Sequence, residues 1–232
     1  MLVGFSTGAL HKHMTAKQAL PLIKKTGCRV VELGFIRMDR FNQGWLNELE
    51  AKDLEGFQYV SLHAPAIDFK DNQETKNILK QIEQMHAKRP LDLVVFHPDR
   101  IKNIKVLDKV SFPIGFENMD NEKIFGRNPE DIGKFLSHNS SYRMVLDTNH
   151  LKVNDSTMKL ANDFYKNFGD KISEYHISGF SNIKPHIPLF QTQQLDIIEA
   201  IRDASKPIIC ESLLTPNIVE KEKKYIEKFL KL

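Results

Sequence analysis

Six hydrophobic runs in this sequence each end on a side chain that can bind a metal ion. The run at 59–62 leads into His63, that at 93–96 into His97 and that at 114–116 into Glu117. Further along, 144–146 leads into Asp147, 174–175 into His176 and 208–210 into Glu211. Glu117, Asp147, His176 and Glu211 form a mixed oxygen and nitrogen set. Such a set suits Zn²⁺, Mn²⁺, Fe²⁺ or Co²⁺ better than the all-oxygen sites of Mg²⁺ or Ca²⁺. His63 and His97, with Glu117 as a bridge, would make a second site next to the first. Paired ions about 3.5–4 Å apart suit hydrolysis, because together they stabilise the attacking and leaving oxygens. Each residue also has an ordinary structural use. Glu117 could pair with a lysine, Asp147 could cap the segment after it, and His176 could be a hydrogen-bonded core histidine. Glu211 could bond a loop backbone, and His63 and His97 could bind substrate or each other. Four such coincidences at successive strand ends favour the shared metal site.

Such groups are brought together only if the runs are strands that end on one face. Short apolar runs bounded by turn signals read as buried strands, and they start near Leu2, Val30, Tyr59, Leu93, Ile114, Met144, Glu174 and Ile208. Helical patterns lie between them. Thr15 can cap 16–26, Asp71 can open 72–88, Asp155 precedes 156–168, and Pro129 sits in the first turn ahead of 130–138. The last helix is expected over 217–230, and Pro21 should kink or interrupt the first. The stretch 99–110 suggests only a short helix. This alternation is the order of parallel βα units. A doubly wound open sheet would alternate too, but it gathers its ligands at one switch point instead of six strand ends. The fold expected is therefore a single (β/α)₈ TIM barrel spanning residues 1–232, with its site at the C-terminal face.

The composition allows this. With 41% hydrophobic residues the chain can bury a substantial core, and a net charge of +3 gives no strong nucleic-acid signal. Cys28 and Cys210 are the only cysteines and are expected to be reduced thiols. The sequence enters strand pattern at 2–6 and has no apolar stretch of membrane-spanning length, so a cytoplasmic protein without a membrane partner is expected.

His63-Ala64-Pro65, Phe96-His97-Pro98, Phe116-Glu117-Asn118, Leu146-Asp147-Thr148-Asn149-His150, His176 and Cys210-Glu211-Ser212 resemble endonuclease IV (AP endonuclease family 2). They also resemble the wider xylose isomerase-like barrel superfamily, over about 60–212. The resemblance implies one zinc on His63, His97 and Glu117, and a second on Glu117, Asp147, His176 and Glu211. His150 and His186 match histidines of a third zinc site in endonuclease IV, whose aspartate is replaced here by Lys184. A cation there should repel a third metal and attract phosphate instead. The sugar isomerase and epimerase branch uses one metal on a set like Glu117, Asp147, His176 and Glu211, though the arginine often found after its histidine is absent from 177–182.

The leading expectation is a divalent-metal-dependent hydrolase of a phosphoester, with a metal-bound hydroxide as nucleophile and Zn or Mn as one or two ions. Glu117 and Glu211 would be its catalytic carboxylates, and His150, Lys184 and His186 would touch a phosphorylated small molecule. The short chain argues against duplex DNA without excluding it. The alternative is a sugar or sugar-phosphate isomerase or epimerase in which Glu117 or Glu211 moves a proton next to a carbonyl. A barrel that binds metal or sugar without turnover is the third reading.

Overall fold

The structure, a computed structural model, describes residues 2–42, 46–181 and 185–230. Eight parallel strands close into a barrel in sequence order, and β8 pairs back to β1. They are β1 (Val3–Ser6), β2 (Val30–Gly34), β3 (Tyr59–His63), β4 (Leu93–Phe96), β5 (Ile114–Glu117), β6 (Arg143–Asp147), β7 (Ile172–Ile177) and β8 (Ile208–Cys210). Among the described residues the helices are α1 (Ala16–Lys25), α2 (Met38–Asn42), α3 (Gln73–Lys88), α4 (Pro129–Leu136) and α5 (Thr148–Asn154). They continue with α6 (Lys159–Phe168), α7 (Leu189–Thr192), α8 (Leu195–Glu199) and α9 (Val219–Phe229). No helix among them is long and apolar enough to cross a membrane.

Residue parity explains how the strands build both a core and a site. Successive side chains on a strand point to opposite faces. One parity (Phe5, Val31, Leu62, Phe96, Phe116, Leu146, Tyr175, Cys210) belongs to the main apolar cluster shared with the helices. The opposite parity faces the barrel axis, where Leu93, Val95 and Val145 form a separate small cluster with Tyr59 against it. Two residues beyond Val95 and Val145 on that parity stand His97 and Asp147. The strands thus have an apolar plug low in the barrel and ionisable groups at the top.

The local sequence signals position most elements and shift some ends. Thr15 makes a capping box with Gln18, and α1 then runs through Pro21 without interruption. Asn72 caps α3 in place of Asp71, since its side chain accepts from Thr75 N. The helix expected from 156 begins at Lys159, because Asp155 turns the chain by accepting from Thr157 N and Leu160 N. The expected terminal helix starts with a 3₁₀ turn at Pro216–Ile218 before α9. Between β4 and β5 the chain forms two 3₁₀ turns, Pro98–Arg100 and Ile104–Leu107.

Candidate metal centre

The barrel brings all six predicted ligands to its C-terminal mouth. His63, Glu117 and Asp147 are the last residues of β3, β5 and β6. His176 is the penultimate residue of β7, while His97 and Glu211 directly follow β4 and β8. Two groups of ligand atoms have the spacing needed to hold a metal ion: His63, His97 and Glu117, and Glu117, Asp147, His176 and Glu211. Glu117 belongs to both.

Hydrogen bonds behind the ligands determine which ring nitrogens face the site. His63 Nδ1 donates to the Ala64 carbonyl at 3.0 Å, leaving Nε2 to face Glu117 Oε2 at 3.2 Å. His97 Nε2 lies 3.2 Å from the same oxygen. In His176 the order is reversed. Its Nε2 donates to Glu174 Oε1 at 2.9 Å, and Nδ1 faces Glu117 Oε1 at 3.2 Å and Glu211 Oε1 at 3.7 Å. Glu117 therefore offers one oxygen to each half of the site. Asp147 divides its carboxylate in the same way. Oδ1 accepts from His150 N at 2.9 Å and caps α5, while buried Oδ2 has no well-aligned hydrogen-bond partner among the described residues, with His150 Nδ1 3.5 Å away. The capping use of Asp147 is real and leaves one oxygen for a ligand role. An orphaned carboxylate oxygen beside inward-facing imidazoles is the arrangement a cation would satisfy. The residues present fit a divalent transition metal.

Electrostatics agree. Burial disfavours charge on all these groups, yet each has neighbours of the opposite sign. Burial would lower the His63 imidazolium, but the Glu117 contact and the charges of Glu32, Glu117 and Glu211 bring it up to about 9. His150 reaches about 9, against burial, through Asp147 and Glu117. His97, buried and beside His63, moves down. Glu117 is held well below the usual carboxylate range despite burial, because His176, His63 and His97 surround it. Burial and the Glu117 charge push Asp147 up to about 6, with His150 opposing. Glu211 rises to about 8 through burial, against His176 but with Glu117 and Glu32. Without metal, this cluster therefore fills its need for positive charge with protons.

Buried polar residues brace the site. Asn118 links β5 to β6, accepting from Asp147 N at 2.8 Å and donating to the Asp147 carbonyl at 3.0 Å. The Asn118 carbonyl accepts from His150 Nδ1 at 2.7 Å, and His150 Nε2 lies 3.9 Å from Asp120 Oδ2. His150 and His186 both line a cavity of about 300 Å³ with His63, His97, Glu117 and Glu211. His186 sits in the left-handed region (φ 54°), a strained position for a non-glycine residue, with Nδ1 3.2 Å from Ser178 Oγ. Burial and the nearby His150 lower it to about 4. Among the described residues, no metal-spaced group contains His150 or His186. Lys184 lies outside the described residues.

The sequence reading missed a third group, Glu32, Glu174 and His176, immediately below the mouth. Glu32 and Glu174 are fully buried on the axis-facing parity of β2 and β7. A charged residue on the inward parity of a buried strand was the available signal.

No family model matches the sequence, and no curated protein matches it. Solved structures match over nearly the whole chain. A D-tagatose 3-epimerase-like protein is 15% identical, covers 99% of this chain and 97% of its own, and has a TM-score of 0.73. The chain shares the barrel fold of that protein. IOLI protein with a binding zinc atom is 16% identical, with 99% and 98% covered and a TM-score of 0.70. AP endonuclease, family 2 from Brucella melitensis is 12% identical, with 97% and 98% covered and a TM-score of 0.62. The expected special closeness to endonuclease IV is not favoured over the sugar epimerase branch. At such identities the likeness concerns the fold, and function has to be argued from the site.

Proposed function

We propose that this protein is a metal-dependent isomerase or epimerase that moves a proton on a carbon next to the carbonyl of a small polyhydroxylated substrate. The observation that carries this reading is the placement of Glu117 and Glu211. Both line one cavity of about 300 Å³, and they approach His176 Nδ1 at 3.2 and 3.7 Å. That volume is at the small end for ligand pockets and suits a monosaccharide better than a nucleic acid strand. The two carboxyl groups have opposite tendencies, Glu117 charged and Glu211 raised to about 8. In the ion-free site the two carboxyl groups thus differ in their hold on a proton. A divalent ion on Glu117, Asp147, His176 and Glu211 would supply carbonyl polarisation, which makes the adjacent C–H more acidic. One glutamate takes that proton and the other returns one. His150, pinned through Nδ1 to the Asn118 carbonyl, has its Nε2 left to donate to a substrate oxygen.

A second reading, hydrolysis of a phosphoester, is favoured by the convergence of His63 Nε2 and His97 Nε2 on Glu117 Oε2, the half of the site that could hold a second ion. A phosphate contact by Lys184 belongs to either reading. Proton NMR in D₂O discriminates between them. Metal-loaded protein incubated with ketoses and ketose phosphates is expected to exchange the C–H next to the carbonyl for deuterium, and Glu211→Gln should stop the exchange. No exchange across the panel, together with release of phosphate from phosphoesters, would replace the isomerase reading with the hydrolase one.

A further inference from the structure

Behind the metal-facing side of His176 lies a feature that neither reading above uses. The Nε2 of His176 points down the barrel axis toward two buried carboxylates. Glu174 Oε1 lies 2.9 Å from it and Glu32 Oε2 lies 3.2 Å from it. Glu174 is two residues before His176 on the same strand, so the strand period alone puts the two on one face. Glu32 comes from β2, across the barrel. All three residues are 0% exposed. Both oxygens of Glu32, and Oε2 of Glu174, lack any well-aligned hydrogen-bond donor among the described residues. The two carboxylates share the His176 N–H, with the hydroxyls of Ser61 and Tyr59 beside Glu174 and that of Ser6 beside Glu32.

Glu32, Glu174 and His176 have the spacing of a cation site of their own. The ring's chemistry argues against that use. A neutral imidazole has one lone pair and one N–H. If Nδ1 offers its lone pair to an ion held with Glu117 and Glu211, Nε2 carries the hydrogen and can only donate. A second ion at Nε2 would require removal of that hydrogen too. We infer that Glu174, supported by Glu32, is a positioning residue: it holds the Nε2–H of His176 and so makes Nδ1 the nitrogen that faces the metal. His63 is held in the opposite sense, its Nδ1–H on the Ala64 carbonyl and its Nε2 toward Glu117. The two histidines thus reach Glu117 through different nitrogens because their backing acceptors lie on different sides. A carboxylate behind a ligating imidazole also makes the ring a stronger donor to the ion.

This inference rests on His176 being a metal ligand, and its test reports on that separately. Protein labelled with ¹⁵N-histidine is titrated with Zn²⁺ and its ring nitrogens are followed by NMR. In the unmodified protein the His176 Nδ1 signal should move on metal addition while Nε2 stays protonated. His63 should show the reverse pattern. Glu174→Ala should mix the His176 tautomers and weaken Zn²⁺ binding about 10–100-fold, the usual effect of losing such a partner, while the His63 pattern remains. Glu174→Gln, whose amide oxygen still accepts, should restore most of the Nε2–H state and of the affinity, which a general folding defect would not do. Unchanged tautomer and affinity in Glu174→Ala would overturn the inference, as would Zn²⁺ on Nε2 of His176. Loss of one bound ion specifically in Glu32→Gln would replace it with a deep cation site. A His176 that responds to no metal would remove the metal-centre reading itself.

Discussion

The two ends of the barrel differ in a way that volume does not reveal. The N-terminal end has the larger cavity, about 600 Å³ against about 300 Å³ at the mouth. Its charged groups nevertheless have partners. Arg143 Nη1 donates to the carbonyls of Ser140, Ser141 and Tyr142. Asp92 accepts from Val60 N at 2.8 Å, and Asp108 meets His138 at 2.7 Å. At the mouth, by contrast, buried carboxylates and imidazoles crowd around Glu117, with orphaned oxygens on Asp147, Glu32 and Glu174. Burying a charge without a partner is expensive, and a fold keeps such groups together only if something else satisfies them. Unmet charge, more than cavity size, marks the end proposed as the active site, in keeping with the usual division of labour in such barrels.

The largest effect should come from Glu117, the residue common to both halves of the mouth. Glu117→Gln should strip bound metal and reduce deuterium exchange by roughly 10²–10⁴-fold, with the far-UV circular dichroism of a folded barrel retained. Exchange at the original rate would mean that the bridging geometry has no functional consequence. A smaller loss is expected from His63→Ala. Under saturating Zn²⁺ or Mn²⁺, ion counting should show the Asp147, His176 and Glu211 half still loaded, and one ion fewer than in the unmodified protein would favour the two-ion hydrolase reading. An unchanged count would leave His63 and His97 as substrate contacts.

Acidity should weaken the mouth in a graded way. His63, raised to about 9, has to lose its proton before Nε2 can serve as a ligand. Metal binding then releases protons, and affinity is greatest above about pH 9 and falls as the pH drops. The fall should approach roughly tenfold per pH unit for each proton displaced. Chelator competition between pH 6 and 9 measures the slope, and a flat profile would contradict the charge assignment. At the other end of the barrel, Arg143→Ala should leave metal content and exchange unchanged. It should cost about 1–2 kcal/mol of stability in urea unfolding through its lost carbonyl bonds. An effect on metal content would erase the distinction between the two ends.

Much of this was legible in the sequence, because strand ends in a parallel barrel converge and the candidate ligands ended their runs. His63, His97, Glu117, Asp147, His176 and Glu211 could be placed without coordinates. Glu32 was passed over because it is embedded in the apolar run 30–33, and Glu174 because it opens a short mixed run; in both, only parity distinguishes an axis-facing residue from one under a helix. The choice of ring nitrogen was invisible as well, since it depends on acceptors such as the Ala64 carbonyl and Glu174, which only the fold supplies. Helix starts slipped where side chains competed for the cap, as with Asn72 over Asp71 and the Asp155 turn before α6.

The claim that the mouth is a metal centre is tested most directly by counting ions. Protein purified without chelators, then loaded with Zn²⁺ or Mn²⁺ and desalted, would be measured by native mass spectrometry beside Glu117→Gln and Arg143→Ala. At least one tightly held ion per chain is predicted in the unmodified protein and in Arg143→Ala, and none in Glu117→Gln. A folded, unmodified protein that retains no ion, or ions that persist in Glu117→Gln, would contradict the account.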